Sequence, residues 1–459
     1  MNTLKGHKLF FIGIGGIGMS GLARYFRRKG YRVAGYDRTP SELTNQLQSE
    51  GIDVQFNENE ALIPEDLLGS DPNEVVVVRT PAVPGDSRIF AFWRDRGARI
   101  LKRAELLGIV TSDQRTIAVA GTHGKTTVST MLAHLLTVGR VKINAFMGGI
   151  AVNYGTNVLL NDQAVLDVVE ADEYDRSFLK LSPQDAIITA MDPDHLDVYG
   201  TPEAMDAAYA EFASLVKGTL FVHKAIANKF TGHRNVVTYS LDGHGVPRAE
   251  NLAVEDGMHV FDLIAEGAEL RKLRLGMAGR HNVENAIAAS AVALRSGVSP
   301  DDLRAGLRSF RGVTRRFEKR IVRNGLVFID DYAHHPKELD ACIASVRELY
   351  PGKRITGVFQ PHLYSRTKDH AEAFAKSLAQ LDELILLDIY PAREEPIPGI
   401  TSQWLLEQVP MEEKQYCRRE DLVDELRTRD LQVLLTLGAG DIDRSVPSIE
   451  GMLDQRTRS

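Results

Sequence analysis

The segment at residues 116–139, TIAVAGTHGKTTVSTMLAHLLTVG, carries residue types whose spacing suits a nucleotide phosphate. Its first five residues are apolar and mostly β-branched, which predicts a buried strand, and apolar residues recur at helical spacing after the loop. The loop between them consists of Gly121, Thr122, His123, Gly124, Lys125, Thr126 and Thr127. Its backbone amides and the helix N-terminus favour an anion, the lysine reaches outer phosphates, and the Thr126 hydroxyl can ligate Mg²⁺.

We therefore predict that this loop binds ATP. It departs from the usual phosphate loop, because two residues rather than four separate the first glycine from the Gly-Lys pair. The alternative is an ordinary strand–turn–helix with a solvated lysine. That alternative is disfavoured because strand, loop and helix follow one another in the order that phosphate binding needs.

Two later strands end in side chains suited to a metal ion. The apolar run 165–169 precedes Glu170-Ala171-Asp172-Glu173, and the run 186–191 precedes Asp192-Pro193-Asp194-His195. In a parallel sheet these strand ends lie beside the phosphate loop, where carboxylate and imidazole can hold Mg²⁺ against phosphates. Solvated loop acids, and a histidine that caps a turn, are the alternative interpretation.

The first forty residues carry a second nucleotide pattern. A strand predicted at 8–14 leads into Gly13-Ile14-Gly15-Gly16-Ile17-Gly18 and a helix at about 20–29, and a second strand ends on Asp37. This spacing is typical of a dinucleotide fingerprint, with an acid for ribose hydroxyls, so we predict a site for a nucleotide diphosphate. Thr80 lies in a turn after the buried strand 75–78, which we expect at the same sheet edge.

Length and composition limit the class of protein. The 459 residues are enough for about three domains, and 43% hydrophobic with 25% charged residues is typical of a globular protein. A net charge of −7 argues against nucleic acid or an anionic membrane as partner. Two distant cysteines indicate a reducing compartment, and no run of residues is long enough to span a membrane, so we expect a cytoplasmic protein.

The rest of the sequence contains further segments with predicted functions. Asn282 precedes an apolar helix, where it either caps the helix or hydrogen-bonds an adenine edge. Residues 310–318 (FRGVTRRFE), with Arg315 and Arg316, indicate a linker. Four strands then end in polar loops, which suggests a substrate face at the carboxyl ends of an open sheet. We predict an α/β protein with domain boundaries at 1–107, 108–313 and 314–459.

Taken together, these motifs resemble the Mur ligases of peptidoglycan synthesis, and most closely the members that add alanine. The resemblance covers nearly the whole chain and rests on GIGGIGMSGLA (13–23), GTHGKTT (121–127), EADE (170–173), DHLD (194–197), GRHNVENA (279–286), RRFE (315–318), DDYAHHP (330–336) and QPHLYSRT (360–367). It implies a Rossmann-like N-terminal domain for a UDP-sugar, a central P-loop ATPase-like domain with a mostly parallel sheet, and a Rossmann-like C-terminal domain for an amino acid.

The resemblance also implies roles for individual residues. Thr126, Glu170 and His195 would serve Mg²⁺, Asn282 would meet the adenine, and Arg316 would approach the ATP phosphates after domain closure. We add Asp331 to the ATP site and assign the UDP-sugar to Gly15, Gly16, Ile17, Gly18, Asp37 and Thr80. The amino acid would be held by Tyr332, His334 and Arg366, and the residues assigned to catalysis are Lys125, Glu170, His195, Arg316 and His334.

The implied reaction joins L-alanine to the carboxylate of UDP-N-acetylmuramate through an acyl phosphate and consumes ATP. We expect the protein to be a monomer or weak homodimer. Where the alanine-adding members have an arginine, this chain has Leu363. The alternatives are a recycling ligase that adds a peptide to the same sugar, a nicotinamide-dependent dehydrogenase and a non-catalytic ATP-binding scaffold. The base that takes the amine proton stays open between His334 and His335, and either histidine can be purely structural.

Overall fold

The computed structural model describes residues 4–81, 83–193, 196–243, 245–323, 325–392 and 394–456. Three of its four sheets are wholly or mostly parallel with helices between the strands, which confirms the predicted α/β class. The chain divides into two compact units, of which the first comprises Met1–Asn251, Phe261–Leu273 and Glu284–Phe310, and the second comprises Leu252–Val260, Arg274–Val283 and Arg311–Ser459.

The first sheet is parallel with strand order β3-β2-β1-β4-β5. Its strands are β1 (Lys8–Ile12), β2 (Val33–Tyr36), β3 (Asp53–Gln55), β4 (Val75–Arg79) and β5 (Arg99–Lys102). The helices are α1 (Ile17–Arg28), α2 (Glu42–Ser49), α3 (Glu65–Leu68), α4 (Arg88–Asp95) and α5 (Arg103–Thr111). Because β2 and β3 lie on one side of β1 while β4 and β5 lie on the other, the β1–α1 loop lies at the switch point where such sheets bind ligands.

The second sheet has the order β12-β11-β10-β6-β9-β7-β8, and only β8 is antiparallel to its neighbour. Its strands are β6 (Arg115–Ala120), β7 (Ile143–Ala151), β8 (Thr156–Leu159), β9 (Leu166–Glu170), β10 (Asp185–Ile188), β11 (Leu220–His223) and β12 (Val236–Tyr239). The associated helices are α6 (Lys125–Val138), α7 (Leu196–Tyr199) and α8 (Pro202–Leu215). The α6 helix is buried from Thr126 to Leu136, and its buried residues include the polar side chains of Ser129, Thr130 and His134.

A three-stranded sheet and two helices follow. The sheet has the order β13-β14-β15, with β13 (Arg248–Glu255), β14 (Met258–Ala265) and β15 (Ala268–Leu275). The helices are α9 (Arg280–Arg295) and α10 (Pro300–Ser309). Two-residue turns, Asp256-Gly257 and Glu266-Gly267, join β13 to β14 and β14 to β15.

The last sheet has the order β16-β17-β21-β18-β19-β20, and only β16 is antiparallel. Its strands are β16 (Glu318–Arg323), β17 (Leu326–Asp331), β18 (Ile355–Phe359), β19 (Glu383–Leu386), β20 (Lys414–Tyr416) and β21 (Val433–Leu437). The helices are α11 (Pro336–Leu349), α12 (Tyr364–Asp369), α13 (Ala371–Leu378), α14 (Ser402–Gln408), α15 (Leu422–Arg427) and α16 (Val446–Arg456). As predicted, polar loops follow the carboxyl ends of its central strands.

A buried polar network joins α1 to the β7–β8 hairpin within the first unit. The Arg24 guanidinium, in a side chain only 9% exposed, donates to Glu50, to Gln46 and to the amide oxygen of Asn157, each at 2.9 Å. The Asn157 amide nitrogen donates in turn to the Ile17 carbonyl at 2.5 Å, in the first turn of α1. The start of α1, which carries the glycine loop, is thereby held against the central sheet.

One local prediction differs from the structure. The first helix begins at Ile17 rather than at about residue 20, because the glycine loop closes directly into the helix. The boundary placed after residue 107 falls inside α5, and the predicted division into three ranges stays a prediction. In the part of the chain that the structure describes, no helix combines the length and the apolar character needed to span a membrane.

Candidate active site

The phosphate loop connects β6 to α6 through two glycines in conformations that other residues rarely adopt. Gly121 has φ 128° and Gly124 has φ 80°. A Cβ at 121 would stand 2.1 Å from the Thr189 hydroxyl oxygen, and one at 124 would stand 2.8 Å from the Asn285 amide oxygen. The loop therefore requires glycine at both positions, for its backbone angle and for the close approach of neighbours.

Lys125 at the start of α6 is held by the loop and by a buried acid. Its Nζ donates to the Gly121 carbonyl at 2.6 Å and lies 2.7 and 2.9 Å from the two carboxylate oxygens of Glu173. Burial acts to lower the pKa of Lys125, but the carboxylates of Glu173, Asp172 and Glu170 outweigh burial and raise it. The raised pKa keeps the lysine charged, and because its side chain is paired with Glu173 and only 14% exposed, it is not a solvated lysine.

Thr126 and Glu170, two of the three predicted metal ligands, contact each other. The Thr126 hydroxyl donates to one Glu170 carboxylate oxygen at 3.1 Å, and the Gly148 amide donates to the other at 2.9 Å. A Cβ at 148 would stand 2.2 Å from that second oxygen, so only glycine allows this approach. The third predicted ligand, His195, lies outside the described residues.

These two oxygen donors fit Mg²⁺. The ion is commonly bound by one or two protein oxygens with waters and substrate phosphates, and a carboxylate and a hydroxyl 3.1 Å apart suit one shared ion. Within the described ranges no three His, Cys, Asp or Glu side chains gather as an all-protein metal centre. The Thr126 and Glu170 oxygens suit an ion that also binds phosphate.

The loop residues Thr122 and His123 are fixed to the segment that follows β10. The Thr122 amide donates to the Ala190 carbonyl, and the Asp192 amide donates to the Thr122 hydroxyl, both at 3.0 Å. The His123 Nε2 lies 3.4 Å from an Asp192 carboxylate oxygen. Asp192, predicted as a metal-suited acid, is therefore also a support of the loop. Thr127, the last loop residue assigned to ATP, is buried in α6.

The glycine loop after β1 is supported by Asp37. One carboxylate oxygen of Asp37 accepts from the Gly15 amide at 2.7 Å, and the other accepts from the Thr39 amide at 3.1 Å. This acid thus stabilises the loop backbone, and its contact with a ribose stays a prediction. Thr80 packs against the same loop, since its methyl group would stand 2.8 Å from a Cβ at Gly13.

The N-terminus of α1 is open to an anion and has a cation beside it. Gly16 occupies the N-cap without a side-chain hydrogen bond, and the first turn, which begins with Ile17 and Gly18, contains no acid. A Cβ at Gly18 would stand 2.6 Å from the Arg103 guanidinium, and that guanidinium lies 3.2 Å from an Asp172 carboxylate oxygen. Arg103 thus connects the glycine loop with the acidic segment that follows β9.

In the second unit the structure brings Arg316, Tyr332 and His334 together. The Arg316 guanidinium carbon lies 4.8 Å from the centre of the Tyr332 ring, and the His334 ring centre lies 5.2 Å from it. Arg366 lies on α12, half-buried, in the loop and helix that follow β18.

Asp331 and Asn282 are buried and hydrogen-bonded to backbone within the second unit. Asp331 accepts from the Phe317 amide at 2.6 Å and the Ala333 amide at 2.7 Å. Burial raises the pKa of Asp331 to about 6, although Arg316 and the two amides oppose the rise. Asn282 lies inside α9 rather than at its N-cap, and its amide nitrogen donates to the Ala278 carbonyl at 2.6 Å.

Sequence reasoning missed three residues that the geometry singles out, and it interpreted Glu173 as a metal-suited acid rather than as the partner of Lys125. Of the three, Asn285 lies against Gly124, Arg103 lies beside Gly18, and Glu338 contacts His334. Two of these had a local signal, because Glu338 follows His334 by one helical turn and Asn285 follows Asn282 by three residues. The pairing of Lys125 with Glu173 spans 48 residues and has no local signal.

Comparison with protein-family models gives three adjoining matches. Residues 8–115 match the Mur ligase family, catalytic domain; residues 119–293 match the Mur ligase middle domain; and residues 315–440 match the Mur ligase, glutamate ligase domain. These matches leave only short segments of the chain uncovered.

Several relatives that match nearly the whole chain share the name UDP-N-acetylmuramate–L-alanine ligase. The UDP-N-acetylmuramate–L-alanine ligase of Phocaeicola vulgatus is 48% identical over 460 residues, covering 99% of this chain and 100% of the relative. The crystal structure of the UDP-N-acetylmuramate–alanine ligase of Thermotoga maritima matches with a TM-score of 0.83 at 26% identity, covering 98% of this chain and 99% of that one. A murein peptide ligase of Psychrobacter arcticus shares the fold, with a TM-score of 0.70 at 22% identity and coverage of 98% and 99%.

Proposed function

Because this chain belongs to the Mur ligase family, as its end-to-end 48% identity to a ligase of that family establishes, we propose that it joins L-alanine to UDP-N-acetylmuramate in peptidoglycan precursor synthesis. The predicted family and the predicted ATP-dependent ligase activity are confirmed by the comparisons. The observation that favours alanine as the substrate is 46–49% identity, over at least 97% of this chain, to relatives named for that reaction. The peptide-adding alternative is not favoured, since its structural relative is less similar to this chain in fold and sequence.

The reaction proceeds in two displacements. An oxygen of the muramoyl carboxylate attacks the γ-phosphorus of ATP, the bond to the bridging oxygen breaks, and ADP leaves with that electron pair. The alanine amine then attacks the acyl carbon, the bond to the phosphate oxygen breaks, and inorganic phosphate leaves. Such phosphoryl transfer is accelerated mainly by positioning and by charge.

Within this mechanism the phosphate loop supplies the charge. Lys125 is held charged by Glu173 and directed along the loop by its bond to Gly121, so it offsets negative charge on the transferring phosphoryl group. Thr126 and Glu170 would hold Mg²⁺, with His195 as the further predicted ligand. When bound, that ion neutralises phosphate charge and orients the γ-phosphoryl group.

The remaining site assignments are proposals supported by local geometry. The uncapped α1 N-terminus with Gly15, Gly16, Ile17 and Gly18 suits the diphosphate of the UDP-sugar. The cluster of Tyr332 and His334 suits the amino acid, together with Arg366. Asn282, Arg316 and Asp331 stay assigned to ATP as predictions from the sequence. We place the enzyme in the cytoplasm as a monomer or weak homodimer.

A coupled assay tests the function. Phosphate release is followed with ATP, Mg²⁺ and UDP-N-acetylmuramate while each of the twenty amino acids, and then an alanine-headed cell-wall tripeptide, is supplied in turn. We expect L-alanine to give the highest kcat/KM. Preference for the tripeptide would transfer the assignment to the recycling reaction, and absence of release with any acceptor would refute ligation.

A further inference from the structure

Two adjacent histidines, His334 and His335, stand between β17 and α11, and the geometry gives them different hydrogen-bonding states. A neutral imidazole carries one N–H and one lone pair, so each ring nitrogen is either donor or acceptor. Which nitrogen has the hydrogen follows from the partners of the ring, because a carbonyl or carboxylate oxygen can only accept.

The His334 ring faces two acceptors at one nitrogen. Its Nδ1 lies 3.0 Å from the Tyr332 carbonyl oxygen and 3.2 Å from a Glu338 carboxylate oxygen. Neither oxygen offers a hydrogen, so Nδ1 must carry it. In the neutral ring Nε2 then carries the lone pair, which is the form that accepts a proton from a substrate.

The His335 ring has the opposite arrangement. Its Nδ1 accepts from the Lys337 backbone amide at 3.3 Å, which makes His335 the N-cap of α11. The side chain is 7% exposed, and its ring packs against the His370 ring with centres 5.0 Å apart. The lone pair of Nδ1 is thus used to start the helix, and His335 is a structural residue.

Glu338 fixes both the backbone and the ring of His334. One of its carboxylate oxygens accepts from the His334 backbone amide at 3.0 Å, besides its contact with Nδ1. A carboxylate that holds the N–H of a histidine is the arrangement that sets the tautomer of catalytic imidazoles. The other oxygen of Glu338 lies 3.9 Å from the Arg316 guanidinium, which holds the carboxylate from the opposite side.

Other polar groups face the His334 ring from the neighbouring segments. The Tyr332 ring centre lies 5.2 Å away after β17, and the His362 ring centre lies 5.9 Å away after β18. The side chains of His334 and Glu338 are 18% and 16% exposed, so the ring is sheltered but reachable by a small solute. This setting suits a small amine acceptor better than a structural histidine.

We propose that His334 is the base that takes the proton of the alanine amine, and that Glu338 is the residue that positions it; the proposal rests on the proposed ligase function. The amine nitrogen forms a bond to the acyl carbon with its lone pair, and the carbon–oxygen bond to phosphate breaks. The N–H proton passes to Nε2 of His334 while Nδ1 keeps its hydrogen toward Glu338. The imidazolium then releases the proton to solvent.

Hydroxylamine as the acceptor reports on formation of the acyl phosphate without the need for a base, so a comparison with alanine isolates the base-catalysed step. It traps acyl phosphates as hydroxamates, and its nitrogen is unprotonated at neutral pH, so its attack needs no base. The variants are His334→Gln, Glu338→Gln, which keeps an acceptor oxygen and the side-chain shape, and the control His335→Asn, which keeps a capping side chain. Each is assayed with ATP and UDP-N-acetylmuramate, once with alanine and once with hydroxylamine.

For His334→Gln we expect kcat with alanine to fall about a hundredfold or more while hydroxamate formation stays within about threefold of wild type. Glu338→Gln should lower kcat with alanine about tenfold and leave the KM for alanine nearly unchanged. His335→Asn should leave both rates near wild type. ¹⁵N spectra of histidine-labelled protein, assigned with His334→Gln, should show a protonated Nδ1 for His334.

The outcomes distinguish an error in the proposed function from an error in the assignment of the base. If wild-type enzyme forms neither the alanine product nor the hydroxamate, the proposed function itself is wrong. If wild-type enzyme is active and His334→Gln keeps its alanine rate within twofold, or loses both products in proportion, His334 is not the base. A protonated Nε2 with a bare Nδ1 in the spectra would overturn the assigned tautomer, and a wild-type rate in Glu338→Gln would remove Glu338 from its positioning role.

Discussion

Replacing Lys125 by methionine tests the ion pair in the phosphate loop, where one lysine has both a structural and a chemical role. The change removes a cation that is only 14% exposed, and Glu173, a carboxylate that is 1% exposed, loses its ion pair with Lys125. Breaking a buried pair on one side costs about 3–5 kcal/mol of folding free energy, which lowers Tm by about 5–8 °C for a unit of about 290 residues. Loss of a charged contact to the transferring phosphoryl group lowers kcat by about a hundredfold to a thousandfold.

The double variant Lys125→Met with Glu173→Gln separates these effects. It removes both charges, so most of the lost Tm should return, whereas kcat should stay low because the cation is still missing. Differential scanning calorimetry gives Tm, the coupled phosphate assay gives kcat, and titration calorimetry should give wild-type affinity for UDP-N-acetylmuramate. Recovery of kcat in the double variant would refute a catalytic charge on Lys125, and loss of sugar-nucleotide affinity would refute its placement in a separate site.

Three further outcomes are expected. Glu170→Gln should raise the Mg²⁺ concentration for half-maximal rate, and an unchanged Mg²⁺ titration would remove Glu170 from the metal site. Arg366→Lys should raise the KM for L-alanine about tenfold or more with little change for ATP, since a lysine cannot hold a carboxylate bidentately; an alanine KM within twofold of wild type would contradict it. Burial lowers the pKa of His134 from 6.5 to about 4, so the folded state binds fewer protons than the unfolded state between these values. Stability should therefore be complete above pH 6.5 and fall by up to about 3 kcal/mol towards pH 4, and denaturation of His134→Gln across this range should show a smaller loss.

The parts of the site that are local in sequence could be predicted. The β6–loop–α6 segment follows from glycine spacing and apolar periodicity, and the structure places Lys125 and Thr126 at the helix start as expected. Asp37 shows the limit of spacing, because a pattern does not reveal that its carboxylate accepts from the Gly15 amide. The partner of Lys125 depends on how β6 and β9 pair, which is a property of the folded sheet.

His334 and His335 show a second limit of prediction from sequence, which concerns the hydrogen-bond partners of neighbouring residues of the same type. In the sequence His334 and His335 are equivalent candidates for a base. Only the folded backbone shows that a carbonyl and a carboxylate face one ring while a backbone amide faces the other. The i, i+4 relation between His334 and Glu338 was visible in the sequence, but its meaning depends on where α11 begins.

The network around Arg24 and Asn157 has a consequence for how such ligases can recombine. A fragment that ends at residue 107 would contain Arg24 without the Asn157 oxygen, and the remainder would contain Asn157 without the Ile17 carbonyl. In a chimera built at that point, each of these groups that is buried without its partner costs about 1–3 kcal/mol, so the two pieces are not freely interchangeable. A transplant of the sugar-nucleotide region into a relative should keep its fold only when the β7–β8 hairpin travels with it, which places tolerated crossover points beyond residue 159.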